Sequence, residues 1–172
     1  MFLNYIKDLS LKKLLKKNLV SVCYNSSVSS IKSIGLIIDE TYFLEKDKLI
    51  NEIVSQGISK DKIKVIVFRD KIKKEKVFSQ PMFSLKQVNN SGEFLDADVN
   101  EFINEPFDLL ISYYYFDKPI LKWLTFKSKA HFKVGFSSID KKLNHFMIDT
   151  NFDNFRIFNL ELFKYLKILK KI

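Results

Sequence analysis

Side chains that could bind a ligand or move a proton follow four apolar segments that are typical of buried strands. They are Asp39, Glu40 and Thr41, then Arg69 and Asp70, then Tyr114, Tyr115 and Asp117, and finally Ser137, Ser138 and Asp140. In an open parallel sheet, ligands bind beyond the carboxyl ends of the strands, where the strand order reverses. These residues are therefore the candidate lining of a small-molecule pocket. The alternative interpretation is structural, with the aspartates starting helices and the tyrosines packing.

Lysines form a second set of candidates, for contact with a polyanion. Four of them share one face of a predicted helix within residues 2–19, and three more lie in a loop over residues 71–76. The set is Lys12, Lys13, Lys16, Lys17, Lys71, Lys73 and Lys74. A net charge of +9 favours a partner such as RNA or an anionic membrane surface. Solvated surfaces or codon bias would give the same composition, and only Arg69 and Arg156 are arginines, the residue preferred for bidentate contacts.

Common catalytic and cofactor motifs are missing from the sequence. A phosphate cradle needs glycines for close approach of the backbone, yet the first predicted turn, "IIDETYFLEKDK", has none. One cysteine and two histidines do not supply a recognisable zinc set. We therefore predict no cofactor, no metal site and no particular catalytic residue.

The stretch "HFKVGFSSIDKKLNHFMID", residues 131–149, combines polar and apolar residues. Its first six residues alternate in the period-two pattern of a strand, and a second extended segment begins at His145. We predict a strand, a polar connection and a strand that together border a pocket. Ser137 has no neighbouring base in sequence to activate it, and His145 is interpreted as a hydrogen-bonded structural histidine.

Strand and helix patterns alternate along the chain. Strands are predicted at 32–39, 62–68, 107–116, 130–136 and 145–149, with a short one near Met82 to Leu85. Helices are predicted from 45 to Gly57, from an Asp96 cap to Ile103, after an Asp117 cap, and from about Asn151. Residues 2–19 are predicted to form a helix with a break near Asp8 to Ser10. This alternation predicts an α/β three-layer Rossmann-like sandwich with a mostly parallel sheet.

Two regions and a compartment follow from these patterns. Residues 1–30 are predicted to be a basic helical arm and linker, and residues 31–172 a single Rossmann-like domain. Cys23 is the only cysteine, which favours a reducing cytoplasm. The sequence shows no secretory signal and no apolar run of the ~20 residues that cross a bilayer.

Several phrases resemble known families. "DETYF", "FRDK", "EPFDLLISYY", "FKVGFSSIDKKLNHFMIDT" and "ELFKYLKIL" together resemble an uncharacterised family of small cytoplasmic proteins from Bacteroidota. A fainter likeness, over 107–111, 121–124 and 133–136, is to the N-terminal domain of heptosyltransferase-type glycosyltransferases. It implies a Rossmann-like fold, whereas the missing glycine loop and second domain argue against transferase activity.

Two functions remain open on the sequence. The first is a non-enzymatic Rossmann-like module that binds a protein partner, RNA or the ribosome through its lysines. The second is a small enzyme or metabolite sensor with a pocket at the strand ends. Steep dependence of binding on salt would favour the first, and saturable stabilisation by a metabolite would favour the second.

Overall fold

A six-stranded parallel sheet forms the centre of the computed structural model, which describes residues 2–19, 30–72 and 80–172. The strands are β1 Ile34–Asp39, β2 Ile63–Phe68, β3 Met82–Phe83, β4 Leu109–Tyr113, β5 Phe132–Phe136 and β6 Phe146–Ile148. β1, β4 and β5 are buried along their whole lengths. Strands covered on both faces are selected for continuous apolar composition, which is why the sequence indicates them so clearly.

The order of the strands is β3-β2-β1-β4-β5-β6, and all described neighbours are parallel. The chain runs outward from β1 to β3 and then returns to β4, so the order reverses between β1 and β4. In that pair Ile38 lies opposite Tyr113, so the residues that follow both strands emerge side by side. This is the switch point at which a parallel sheet offers a ligand site.

Helices cover both faces of the sheet. They are α1 Phe2–Asn18, α2 Lys46–Ser55, α3 Ala97–Asn104, α4 Pro119–Lys127 and α5 Phe155–Ile168. α2 contacts α5, and α1 contacts α4. The protein is therefore a three-layer α/β sandwich of the Rossmann-like type, which confirms the fold class predicted from the sequence.

Local signals set several element ends as predicted. The N–H of Gly57, at a φ of 95°, donates to the carbonyl of Val54 after α2. Asp96 caps α3, because its side chain accepts hydrogen bonds from the N–H groups of Asp98 and Val99. The short strand near Met82 is present as β3.

The predicted break in the first helix is wrong. α1 is one continuous helix, and its two apolar faces have different surroundings. Leu11 and Leu15 join the common apolar core, whereas Leu9 and Tyr5 are exposed. The helix does not need to bend, because Leu9 stays exposed while Leu11 and Leu15 are buried. The domain boundary at residue 30 stays a prediction, and Cys23 lies outside the described residues.

Asp117 is not the cap of α4, which corrects a second prediction. Lys118 is the N-cap residue, in an extended conformation, and Pro119 begins the helix. The carboxylate of Asp117 instead lies 2.6 Å from Lys122 Nζ. The side chain of Lys118 makes no capping hydrogen bond to α4. Its ammonium group instead reaches the carboxyl edge of the sheet, where it contacts Asp39.

Candidate functional site

Lys118 bridges two carboxylates at the switch point. Its Nζ lies 3.0 Å from Asp39 Oδ2 and 3.0 Å from Asp70 Oδ1. Asp39 is fully buried at the end of β1, and its Oδ1 accepts a hydrogen bond from the N–H of Thr41. The same ammonium group lies 4.7 Å from the ring centroid of Tyr42 and 4.6 Å from that of Phe68. Lys118, which follows β4, thus reaches across the end of β1 to residues at the end of β2.

Glu40 carries a second set of ion pairs beside the first. Its Oε2 accepts a hydrogen bond from Arg69 Nε at 2.8 Å, and its Oε1 lies 3.0 Å from Lys46 Nζ. Glu40 is buried, so these cations compensate a charge that has little access to water. We call the six residues of the two sets the switch-point cluster: Asp39, Glu40, Asp70, Lys46, Arg69 and Lys118.

The switch-point cluster is balanced in charge, with three carboxylates and three cations. Each buried carboxylate is paired with at least one cation within 3.0 Å. A bound anion or cation would have to compete with these internal pairs. Beside the cluster, an open groove of about 370 Å³ is lined by Glu40, Thr41, Leu44, Arg69, Asp70 and Lys71.

The remaining predicted pocket residues do not all reach that groove. Tyr114 is fully buried, and its hydroxyl lies 2.8 Å from Thr125 Oγ1 under α4. Ser138 donates to the carbonyl of Tyr115 over 3.3 Å. Ser137 donates to Asp149 Oδ1 over 2.9 Å, so its described partner is a carboxylate at the end of β6. The structure brings Asp39, Glu40 and Arg69 together and distributes the other candidates over separate places.

A second groove collects lysines from three parts of the chain. It lies between α1, α4 and the connection from β5 to β6, and has a volume of about 280 Å³. Its described lining consists of Lys12, Leu15, Lys16, Leu19, Lys122, Asp140 and Lys142. We call its four lysines, Lys12, Lys16, Lys122 and Lys142, the basic groove. The excess of positive charge is partly offset by Asp140 in the lining and by Asp117, which pairs with Lys122.

The other predicted polyanion residues have different positions. Lys13 and Lys17 are exposed on α1, each about 100° around the helix from the preceding residue, Lys12 and Lys16 respectively. Lys71 lines the open groove at the switch point. Lys73 and Lys74 lie outside the described residues.

α1 connects the two regions electrostatically. Burial raises the pKa of Asp8 above its ordinary value, opposed by the charge of Lys12. Weaker contributions to this pKa come from Asp70, which raises it, and Lys118, which lowers it. Two charged residues of the switch-point cluster, Asp70 and Lys118, therefore contribute to the pKa of a residue in α1. The same helix supplies Lys12 and Lys16 to the basic groove.

Lys133 is a buried lysine that the candidate sets did not include. Its Nζ donates to the carbonyl of Thr125 at 2.7 Å and to that of Phe126 at 3.4 Å, in the last turn of α4. Burial lowers the pKa of Lys133 to about 8. A cation at this position also interacts favourably with the carboxyl end of the helix. These contacts give Lys133 a role in holding α4 on the sheet.

His145 is hydrogen-bonded, as predicted. Its Nδ1 accepts the N–H of Lys133 at 2.9 Å, and its ring stacks on Phe132. The accepting nitrogen carries no proton, so the proton of the neutral imidazole is on Nε2.

Neither a metal cluster nor a membrane helix is found in the described residues. No group of three or more His, Cys, Asp or Glu side chains is arranged there to hold a metal ion. Within the same ranges, helices fall short of the length and apolarity that crossing a membrane requires.

Sequence reasoning missed Lys118, Lys122 and Lys142. Lys118 follows β4, so the rule that named Asp117 would also have named it. Lys122 comes one helical turn after Lys118, which places both on the same side of α4. Lys142 has no comparable signal, because only the folded chain brings the connection after β5 beside α1.

The strand order defines a Rossmann-like α/β protein. At its switch point, the carboxyl edge of the sheet is occupied by ion pairs between the protein's own side chains. The chain belongs to a family of unknown function, DUF6913, which it matches over residues 7–169. No curated protein and no solved structure matches it.

Proposed function

We propose that this protein is a non-enzymatic Rossmann-like binding module whose partner is RNA, free or within the ribosome. The observation that carries the proposal is the convergence of four lysines from three chain segments on one groove. Like charges repel one another, and two nearby carboxylates, Asp117 and Asp140, offset the four lysines only in part. A polyanion would relieve the repulsion when it binds.

The chemistry of lysine narrows what such a groove would recognise. An ammonium group is a compact, strongly hydrated charge that contacts phosphate without a fixed geometry. Bidentate reading of base edges is the usual task of arginine, and the basic groove contains none among its described lining residues. We therefore propose contact with the phosphate backbone and little dependence on sequence.

Salt-dependent binding of oligouridine RNA tests the proposal. We expect a variant with Lys12, Lys16, Lys122 and Lys142 all changed to Gln to bind at least tenfold more weakly at 0.1 M salt. Its plot of log affinity against log salt should be shallower, by roughly 0.7 for each lost phosphate contact. Fluorescence anisotropy over a series of salt concentrations measures both quantities.

A matched control removes the same charge from the opposite edge of the sheet. Lys32, Lys60, Lys62 and Lys129 are exposed near the amino ends of β1, β2 and β5. Their change to Gln should reduce affinity less than threefold. Equal losses in the two variants would show that net charge alone drives binding. If the unchanged protein does not bind RNA at 50 mM salt, the proposal is wrong.

The open groove at the switch point favours a second candidate, a small enzyme or metabolite sensor. Thr41, Arg69 and Asp70 present a hydroxyl, a cation and a carboxylate there. Saturable thermal stabilisation by a metabolite, lost in Asp70→Asn, would support this function. Asp39 is a poor choice for that test, because its burial makes any substitution a test of folding.

We propose that the protein acts in the cytoplasm. We also propose that the likeness to heptosyltransferases does not extend to transferase activity.

A further inference from the structure

Three exposed aromatic rings lie at the carboxyl edge of the sheet. Tyr42 follows β1, and Tyr115 and Phe116 follow β4. Their exposed fractions are 51%, 38% and 45% respectively. The ring centroids of Tyr42 and Phe116 are 4.3 Å apart, and those of Tyr115 and Phe116 are 6.0 Å apart. We call these three residues the aromatic rim.

The fold supports the aromatic rim from below. Tyr115 packs on Phe136 at 5.6 Å and on Phe152 at 5.9 Å between centroids. Lys118 Nζ lies beneath Tyr42. Rings that are packed against the fold and still partly exposed lose little freedom when a flat ligand stacks on them.

The aromatic rim is continuous with the basic groove. Asp117 directly follows Phe116 and forms an ion pair with Lys122 of the groove. Ser138 donates to the carbonyl of Tyr115, and Asp140, two residues later, lines the groove. Two short connections, one after β4 and one after β5, therefore link the aromatic rim to the basic groove.

We infer that the aromatic rim and the basic groove form one binding site for single-stranded RNA. Bases stack on the rim, while the phosphates that join them contact the lysines of the groove. Aromatic side chains beside a cationic track bind single strands without sequence preference, because every base has a π face. A duplex keeps its bases stacked on one another, so the rim selects unpaired strands. This inference rests on the proposed function and adds the kind of RNA and the stacking residues.

Replacement of rim residues by leucine tests the inference, because leucine is apolar but has no aromatic face on which a base can stack. We expect the double variant Tyr42→Leu and Phe116→Leu to bind 15-residue oligouridine about tenfold more weakly than the unchanged protein. Leu95→Ala changes an exposed apolar residue outside the rim and both grooves; it is the control and should change affinity less than twofold. Heparin, which has charges but no bases, should bind the double variant and the unchanged protein equally.

Photocrosslinking gives a readout that does not depend on affinity. Irradiated complexes with oligouridine should yield peptides covalently linked at the rim, at residues 42, 115 or 116. A 15-base-pair RNA duplex should bind more weakly than the single strand and give no such peptides.

The outcomes separate this inference from the proposed function. If the double variant binds oligouridine normally while loss of the four lysines abolishes binding, the groove binds a polyanion and the inference is wrong. Equal affinity for single strand and duplex would also overturn it. If the double variant instead loses a protein that the unchanged protein captures, with RNA binding intact, the rim is a protein-docking surface and the inference fails.

Discussion

The switch-point cluster and the basic groove contain similar numbers of charged groups but differ in how these are neutralised. In the cluster, every described cation lies within 3.0 Å of a carboxylate, and two of the three carboxylates are buried. In the groove, four lysines face the carboxylate of Asp140, with Asp117 paired to Lys122 at its side. Charges that are paired internally hold elements together, whereas an unbalanced set retains the capacity to bind a partner.

The depth of burial should decide how much each ion pair of Lys118 contributes. Asp39 and Asp70 both lie 3.0 Å from Lys118 Nζ, but the exposed fractions of their side chains are 1% and 49%. Asp39→Ala leaves Lys118 without its buried partner, so we expect it to lower the free energy of unfolding by about 3 kcal/mol. Asp70→Ala removes a screened pair and should cost less than about 1 kcal/mol. Urea denaturation of both variants measures these quantities.

Similar losses for the two substitutions would contradict this view of the cluster. Such a result would mean that Lys118 is equally hydrated on both sides, and that the switch point is more open than its side chains indicate.

Lys133 sharpens the comparison, because it is more deeply buried than Lys118 and donates to the carbonyl oxygens of Thr125 and Phe126 instead of to carboxylates. Its pKa is lowered from 10.5 to about 8 in the folded protein. Between these pH values the unfolded chain binds more protons than the folded chain, so stability rises with pH. From pH 7 to pH 9 we expect the stability of the unchanged protein, relative to Lys133→Met, to rise by about 1 kcal/mol.

Denaturation curves at several pH values test this expectation, with the exposed Lys129→Met as control. The control should keep a constant difference from the unchanged protein over the same range. A constant difference for Lys133→Met as well would show that the buried ammonium group is hydrated.

Removal of charge from the basic groove should have the smallest effect on stability. We expect Lys12→Gln and Lys16→Gln together to change the free energy of unfolding by less than about 0.5 kcal/mol, since exposed substitutions rarely do more. A rise in stability at low salt, lost at high salt, would indicate relief of repulsion among the lysines. A fall of 2 kcal/mol or more would mean that these lysines are structural and would weaken the proposed function.

Much of the fold could be predicted, because its signals are local. β1 and β4 are short, mostly apolar runs, Gly57 ends α2 with a positive φ, and Asp96 caps α3 through its own side chain. Each of these depends on neighbouring residues, so the sequence alone carries the information. The two wrong predictions, the break in α1 and the Asp117 cap of α4, concern contacts that local signals do not set. Whether Leu9 is buried, and whether Asp117 caps a helix or pairs with Lys122, depends on what packs nearby.

The candidate site was predictable only in part. The strand-end rule placed Asp39, Glu40 and Arg69 correctly at one edge of the sheet, because parallel strands deliver their following residues to the same place. The rule did not show that the hydroxyl of Tyr114 lies under α4 or that Lys118 reaches Asp39 at the end of β1. It also did not show that Asp140 faces α1.

Composition, periodicity and short-range hydrogen bonding are sufficient to predict the layered α/β architecture, and the excess of lysine and the lack of familiar catalytic motifs can be read directly. Which charges are paired depends on the folded chain, because Coulomb interactions depend on distance and burial between residues far apart in the chain. Lys118 and Lys122 are one helical turn apart, yet packing places Lys118 against the buried Asp39, whereas Lys122 pairs with the exposed Asp117 at the basic groove.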